Sequence, residues 1–94
     1  MIEIDIVAVN EDDRRVRFGS CKRAATKHTP AALATFGQHV DDFLATAAGR
    51  RFKGWQQERA LYAPDFPDAE RLALQGQGCA CIDLNDYRRW LTPA

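Results

Sequence analysis

The chain lacks any apolar run near the ~20 residues that a bilayer-spanning helix needs. Its N-terminus carries Glu3 and Asp5 and no basic segment, so no secretory signal is written there. With no export signal, the expected compartment is the cytoplasm. Net charge is also absent. Thirteen basic and thirteen acidic residues cancel, which withholds general electrostatic support for nucleic-acid binding. Cysteine is scarce: Cys21, Cys79 and Cys81 are an odd set, and they argue against a disulfide framework. There is no internal repeat, low-complexity stretch or linker, and no phosphate-binding loop, so the chain brings no ATPase module of its own. What is there, 94 residues with 46% hydrophobic and 28% charged side chains, suits one soluble globular domain spanning 1–94.

The charge is unevenly spread. From Arg14 to Val40 there is no acid, yet Arg14, Arg15, Arg17, Lys22, Arg23 and Lys27 fall in that stretch. Arg50, Arg51 and Lys53 follow, and the part from Gly54 tilts acidic. The basic stretch is either a patch for a polyanion or a solvated face.

Alternation places a strand over Ile2 to Val9. Ile2, Ile4, Ile6 and Ala8 take one face; Glu3, Asp5, Val7 and Val9 take the other. Asn10 to Asp13 reads as a turn. Arg14 to Arg23 reads as the returning strand, with Val16, Phe18, Ser20 and Lys22 on one face. Gly19 inside it suggests a bulge or a close backbone approach. Thr29-Pro30 reads as an N-cap followed by proline in the first turn, and Leu33, Phe36, Val40, Phe43, Leu44 and Ala47 follow at helical spacing. Gly49 is the expected C-cap. A strand is expected over Trp55 to Ala63, and a short helix opens at Pro67-Asp68 and ends at Gly76 and Gly78. Cys79 to Leu84 reads as a nearly all-apolar strand buried on both faces. Asn85 is expected to cap a last helix through Tyr87, Trp90 and Leu91, which Pro93 ends. The order β-β-α-β-α-β-α argues an α/β fold with a mixed sheet.

Cys79 and Cys81 share a strand face and read as small core residues, with a metal site that adds Cys21 or a histidine as the alternative. His28 and His39 lack i, i+4 partners and read as exposed or capping. Trp55, Tyr62 and Trp90 are either core aromatics or stacking surfaces for bases.

The run Glu3-Ile4-Asp5-Ile6-Val7-Ala8-Val9-Asn10, a charged turn, and Arg17-Phe18-Gly19-Ser20-Cys21-Lys22 resembles a domain of unknown function found at the C-terminus of archaeal-type AAA ATPases. Arg59-Ala60-Leu61-Tyr62, Phe66 and Cys81-Ile82-Asp83-Leu84 resemble its later strands and short helix. That family looks like a branch of the PD-(D/E)xK, restriction-endonuclease-like superfamily. The resemblance implies a mixed sheet flanked by helices, an active site on the hairpin, DNA as the partner, and an AAA ATPase module in cis or in trans. Asp5 matches the metal-binding aspartate and Lys22 the lysine of the acid-x-lysine pair. Ser20 stands where the second acid belongs. The helix and strand that the family places before the first of these strands are missing, so a truncated remnant or an excised fragment is expected.

Metal-assisted phosphodiester cleavage uses a cation that polarises phosphate and activates water. Magnesium takes oxygen ligands, and here Asp5 would hold it. Glu3, about 6.5–7 Å along the strand, is the conceivable second ligand. Ser20 offers only a neutral oxygen, and Lys22 would stabilise developing charge. The sequence therefore reads as a degenerate nuclease-like domain, with Asp5, Ser20 and Lys22 in the catalytic positions and weak or no magnesium-dependent DNA cleavage. Arg14, Arg15, Arg17, Arg23 and Lys27 are its expected DNA contacts. Two other readings stay open. Asp5 and Lys22 could form a plain ion pair that fixes hairpin register, and the chain could be a non-catalytic interaction module that covers an exposed edge by homodimerising.

Overall fold

The structure, a computed structural model, describes residues 2–91. It is a mixed α/β domain with a four-stranded sheet and three helices. Strands β1 (Ile6–Asn10) and β2 (Arg15–Cys21) form an antiparallel hairpin, in which Ile6 pairs with Gly19 and Asn10 with Arg15. The turn between them is tied by Asn10, whose side chain accepts the Asp13 N–H at 3.1 Å, and Arg14 leaves it with φ of 52°. Strands β3 (Gln56–Tyr62) and β4 (Cys79–Ile82) then add in parallel, giving the spatial order β1-β2-β3-β4.

Each parallel step needs a crossover, and helices supply them. Helix α1 (Pro30–Leu44) links β2 to β3, and α2 (Asp68–Gln75) links β3 to β4. Thr29 caps α1, its hydroxyl oxygen accepting the Ala32 N–H at 3.1 Å, with proline in the first turn as the sequence pattern implies. Phe36 and Val40 of α1 and Leu74 of α2 pack with Val16, Phe18, Leu61 and Cys81 of the sheet in one core. Those four strand residues occupy the same face by register. The other face is polar at its middle, where Arg17 pairs with Glu58 at 2.8 Å.

Several expectations are corrected. β1 begins at Ile6, not Ile2; residues 2–5, Asp5 among them, lie outside its ladder. Helix α1 ends at Leu44 with Ala45 as its C-cap. Gly49 instead lies buried, at a point where a Cβ would collide with the Phe43 carbonyl oxygen. Strand β4 is an edge strand, with Cys81 and Ile82 buried but Cys79 and Ala80 only half-buried. Helix α3 (Leu84–Leu91) is capped by Asp83, not Asn85. Asp83 accepts the Asp86 N–H at 3.0 Å, and Asp86 accepts the Asp83 N–H at 2.9 Å. That reciprocal exchange is a capping box with aspartate in the third helical position. The expected stop at Pro93 lies outside the described residues.

His28 is also buried, not exposed. Its Nε2 donates to the Tyr62 carbonyl at 3.0 Å, and its ring stacks on Phe66 with centroids 5.8 Å apart. Trp55 packs on Phe52 at the core margin, while Trp90 is exposed against Tyr87. Of the cysteines, Cys81 is in the core, Cys79 is half-buried and Cys21 is exposed.

Candidate functional site

The site forms where β1 begins and β2 ends, because that end of the hairpin is left uncovered on the α1 side. The Asp5 N–H donates to the Gly19 carbonyl at 3.1 Å, and continuing the hairpin register sets Asp5 opposite Ser20. Alternation along β2 then puts Ser20 and Lys22 on the face that carries Val16 and Phe18. Lys22 is pinned through its backbone, its N–H donating to the Tyr62 carbonyl at 3.0 Å. A cleft of about 420 Å³ results, lined by Glu3, Asp5, Ser20, Cys21 and Lys22 from the hairpin and by α1 opposite.

Helix α1 contributes Ala31, Ala32, Thr35, Phe36 and His39 to the cleft wall. Ala32, Thr35 and His39 recur at i, i+3 and i+7, one stripe of the helix. The small residues at its start keep the cleft open. His39 is the site residue that sequence reading missed. Its Nδ1 accepts the Glu3 N–H at 3.2 Å, so the proton of the neutral ring sits on Nε2. The available signal was that stripe of small residues ending in a histidine.

The Asp5 carboxylate has a structural task. Its Oδ2 accepts the Cys21 N–H at 2.7 Å, closing the last turn of the hairpin ladder. Among the ion pairs of the described residues, none joins Asp5 to Lys22. The Asp5 carboxylate therefore braces the open end of the hairpin through a backbone N–H, where the alternative reading had an ion pair with Lys22. Burial, with the Asp5 charge nearby, pushes the Cys21 thiol up from its ordinary value. That keeps it protonated and a poor nucleophile at neutral pH.

Magnesium takes one or two carboxylates together with water and substrate phosphate. The cleft offers Asp5, one oxygen of which is already committed, and Glu3 from the irregular segment before β1. Among the described residues no three His, Cys, Asp or Glu side chains come together to hold an ion. Beside these two carboxylates the cleft presents the neutral hydroxyl of Ser20.

The five expected DNA contacts separate into two groups. Arg23 and Lys27 lie just after β2, at the cleft end, and both are exposed. Arg14 and Arg15 lie at the other end of β2, about 20 Å away for a strand of this length, and Arg17 lies nearer its middle. Arg15 bonds the Gln56 side chain at 3.2 Å, and Arg17 is engaged by Glu58, both on the face opposite the cleft.

No family model, curated protein or solved structure matches the chain. The described residues contain no helix long and apolar enough to cross a membrane.

Proposed function

We propose that the chain is a degenerate nuclease-like domain of the PD-(D/E)xK kind, associated with DNA, in which metal-dependent phosphodiester cleavage is weak or lost. The observation that carries this reading is that one cleft is lined by Asp5, just before β1, and by Ser20 and Lys22, at the end of β2 and just after it. A nuclease site of this type needs its two acids and its lysine on one sheet face, within reach of a single phosphate. Here the positions converge and one of the acids is missing.

The residues present do the following. Lys22 offers a mobile ammonium to a phosphate oxygen, worth most where water is excluded. Arg23 and Lys27, at the same end of the sheet, extend the positive surface along a backbone. Asp5 braces the open end of the hairpin with one carboxylate oxygen and lines the cleft. Ser20 contributes a hydroxyl that can hydrogen-bond phosphate but cannot balance a divalent charge. Magnesium enters this reading only through a carboxylate restored at position 20.

The experiment is the Ser20→Glu variant. Nicking of labelled single- and double-stranded DNA is followed with magnesium, with manganese and with chelator. Gain of metal-dependent cleavage, lost again on Lys22→Ala, supports the reading. A folded Ser20→Glu protein that neither binds manganese nor cuts DNA refutes it.

A further inference from the structure

Strands β2, β3 and β4 run parallel and end in register, so their carboxyl ends form one margin of the sheet. In open α/β sheets ligands gather outside such a margin. The cleft already described takes up its α1 side. A second hollow, of about 220 Å³, lies at the same margin beside α3. Buried Ala63 and Ile82, half-buried Tyr62, and exposed Leu84 and Tyr87 give it walls of carbon. Asp83, which also lines it, has its carboxylate taken up by the Phe66 N–H at 3.0 Å and by Arg71 at 2.8 Å.

Cys21 and Lys22 line both spaces. The hollow therefore adjoins the cleft at the very lysine to which the nuclease-like reading gives the phosphate. Among the ion pairs of the described residues, none engages Lys22, Arg23 or Lys27. These three cations stand against the two carboxylates Glu3 and Asp5, which leaves this end of the hairpin net positive. An apolar space beside such cations suits a ligand with a flat apolar part next to an anionic part. A nucleotide is built in that way. The hollow is smaller than the roughly 300–1,000 Å³ of sites for drug-sized ligands, so it admits one ring system and not a stacked run of bases.

We infer that the hollow beside Tyr87 receives one unstacked base of single-stranded DNA, whose phosphate lies at Lys22. The inference rests on the nuclease-like reading for the phosphate and adds to it the strand form of the substrate. In a duplex the bases are paired and stacked and offer only their edges to the grooves. A base enters a hollow of this kind only when it is out of the stack. Proteins that bind single strands stack bases on aromatic side chains beside a positively charged track, with little regard for sequence. Tyr87 supplies the ring, and Trp90 packs edge-on against it with centroids 5.4 Å apart. An apolar peptide would fill the hollow but leave the neighbouring cations unanswered.

Fluorescence anisotropy of the full chain with labelled oligonucleotides at low salt tests it. The probes are a thymidine strand of about ten nucleotides, within the usual site sizes, a strand of that length abasic throughout, and a duplex of that length. The thymidine strand is expected to bind at least about tenfold more tightly than the other two, the size of one base stack. Tyr87→Ala should erase that advantage and leave affinity for the abasic strand unchanged, whereas Lys22→Ala should weaken all three probes alike. Tyr87 is exposed, so Tyr87→Ala should stay folded, and circular dichroism checks this; the abasic comparison needs no variant at all. Equal affinity for strands with and without bases overturns the inference. So does a preference for the duplex, a folded Tyr87→Ala protein that keeps the advantage, or no binding to any probe. The nuclease-like reading is decided separately, by manganese binding and nicking in Ser20→Glu, so either can fail without the other.

Discussion

The carboxylate of Asp5 and the backbone N–H of Cys21 meet at 2.7 Å across the open end of the hairpin. This bond does locally what a register-fixing ion pair would do, and it ties the site's aspartate to the fold. Asp5→Ala should therefore cost about 1 kcal/mol of stability, less than the roughly 1.5–3 kcal/mol of a hydrogen bond to a charged group because the site is exposed. Asp5→Asn, which keeps a carbonyl oxygen at that place, should cost less. Urea denaturation at neutral pH distinguishes the two; equal stability of all three proteins would remove the structural role assigned to Asp5.

A second prediction concerns the polar cluster under α3. Arg71 bonds Asp83 at 2.8 Å and Asp86 at 3.3 Å, and both carboxylates are buried. Removing Arg71 leaves buried Asp83 without a cation and Asp86 with Arg89 alone. Arg71→Met should cost about 3 kcal/mol, as breaking a buried pair does, against a total of about 5–15 kcal/mol for a domain. Burial pushes the Asp86 carboxyl up, but the Asp83 N–H, Arg89 and Arg71 outweigh it and hold it below its ordinary value. Its folded value is thus below its unfolded one. The stability it contributes is present above about pH 4 and is lost as pH falls through the folded value. In Arg71→Met this acid sensitivity should shift to higher pH. Melting curves between about pH 3 and pH 7 read both effects.

His28 acts in the same sense, at higher pH. Burial lowers its proton affinity, the Tyr62 carbonyl works against this, and the Lys22 charge lowers it further. The unfolded chain therefore binds a proton that the folded chain resists. Stability should be full above about pH 6.5 and should fall as pH drops below it. His28→Gln removes the titration, so its melting temperature should be flatter between about pH 7.5 and pH 5 than the parent's. Parallel curves for the two proteins would contradict this.

Legibility in the sequence followed the range of the interaction. The hairpin and α1 were readable because their signals are local: alternation around Asn10–Asp13, and Thr29-Pro30 ahead of a helical stripe. Alternation along β2 set Ser20 and Lys22 on one face; Asp5 was set beside them by the resemblance of the hairpin, although it lies just before β1. What alternation does not encode was missed. Gly49 looked like a helix cap, but its role is to let the chain pass the Phe43 carbonyl. His28 and His39 looked solvent-exposed because their partners, the Tyr62 carbonyl and the Glu3 N–H, lie 34 and 36 residues away. Asn85 looked like the cap of α3 because nothing local shows that Asp83 and Asp86 face each other over Arg71. The hollow beside Tyr87 likewise became visible only once β2, β3 and β4 were known to end in register.

Gly19 gives a further test of the hairpin geometry. A Cβ there would stand 2.7 Å from a Tyr62 ring carbon and 3.0 Å from the Ile6 Cβ. Gly19→Val should cost about 1–3 kcal/mol through overpacking, with Gly19→Ala costing less because the Tyr62 ring can swing aside. Chemical denaturation of both variants checks the order; a neutral Gly19→Val would mean that β1 and β3 do not close on β2 as described.

The central claim is that position 20 is the missing acid of a cleft otherwise arranged for phosphodiester chemistry. Its most direct measurement is manganese binding by Ser20→Glu, followed through paramagnetic broadening of amide resonances, beside metal-dependent DNA nicking. The account predicts broadening centred on residues 3–5 and 20–22, and nicking at least about tenfold above wild type. A correctly folded Ser20→Glu protein with no broadening at those residues and no nicking would contradict it.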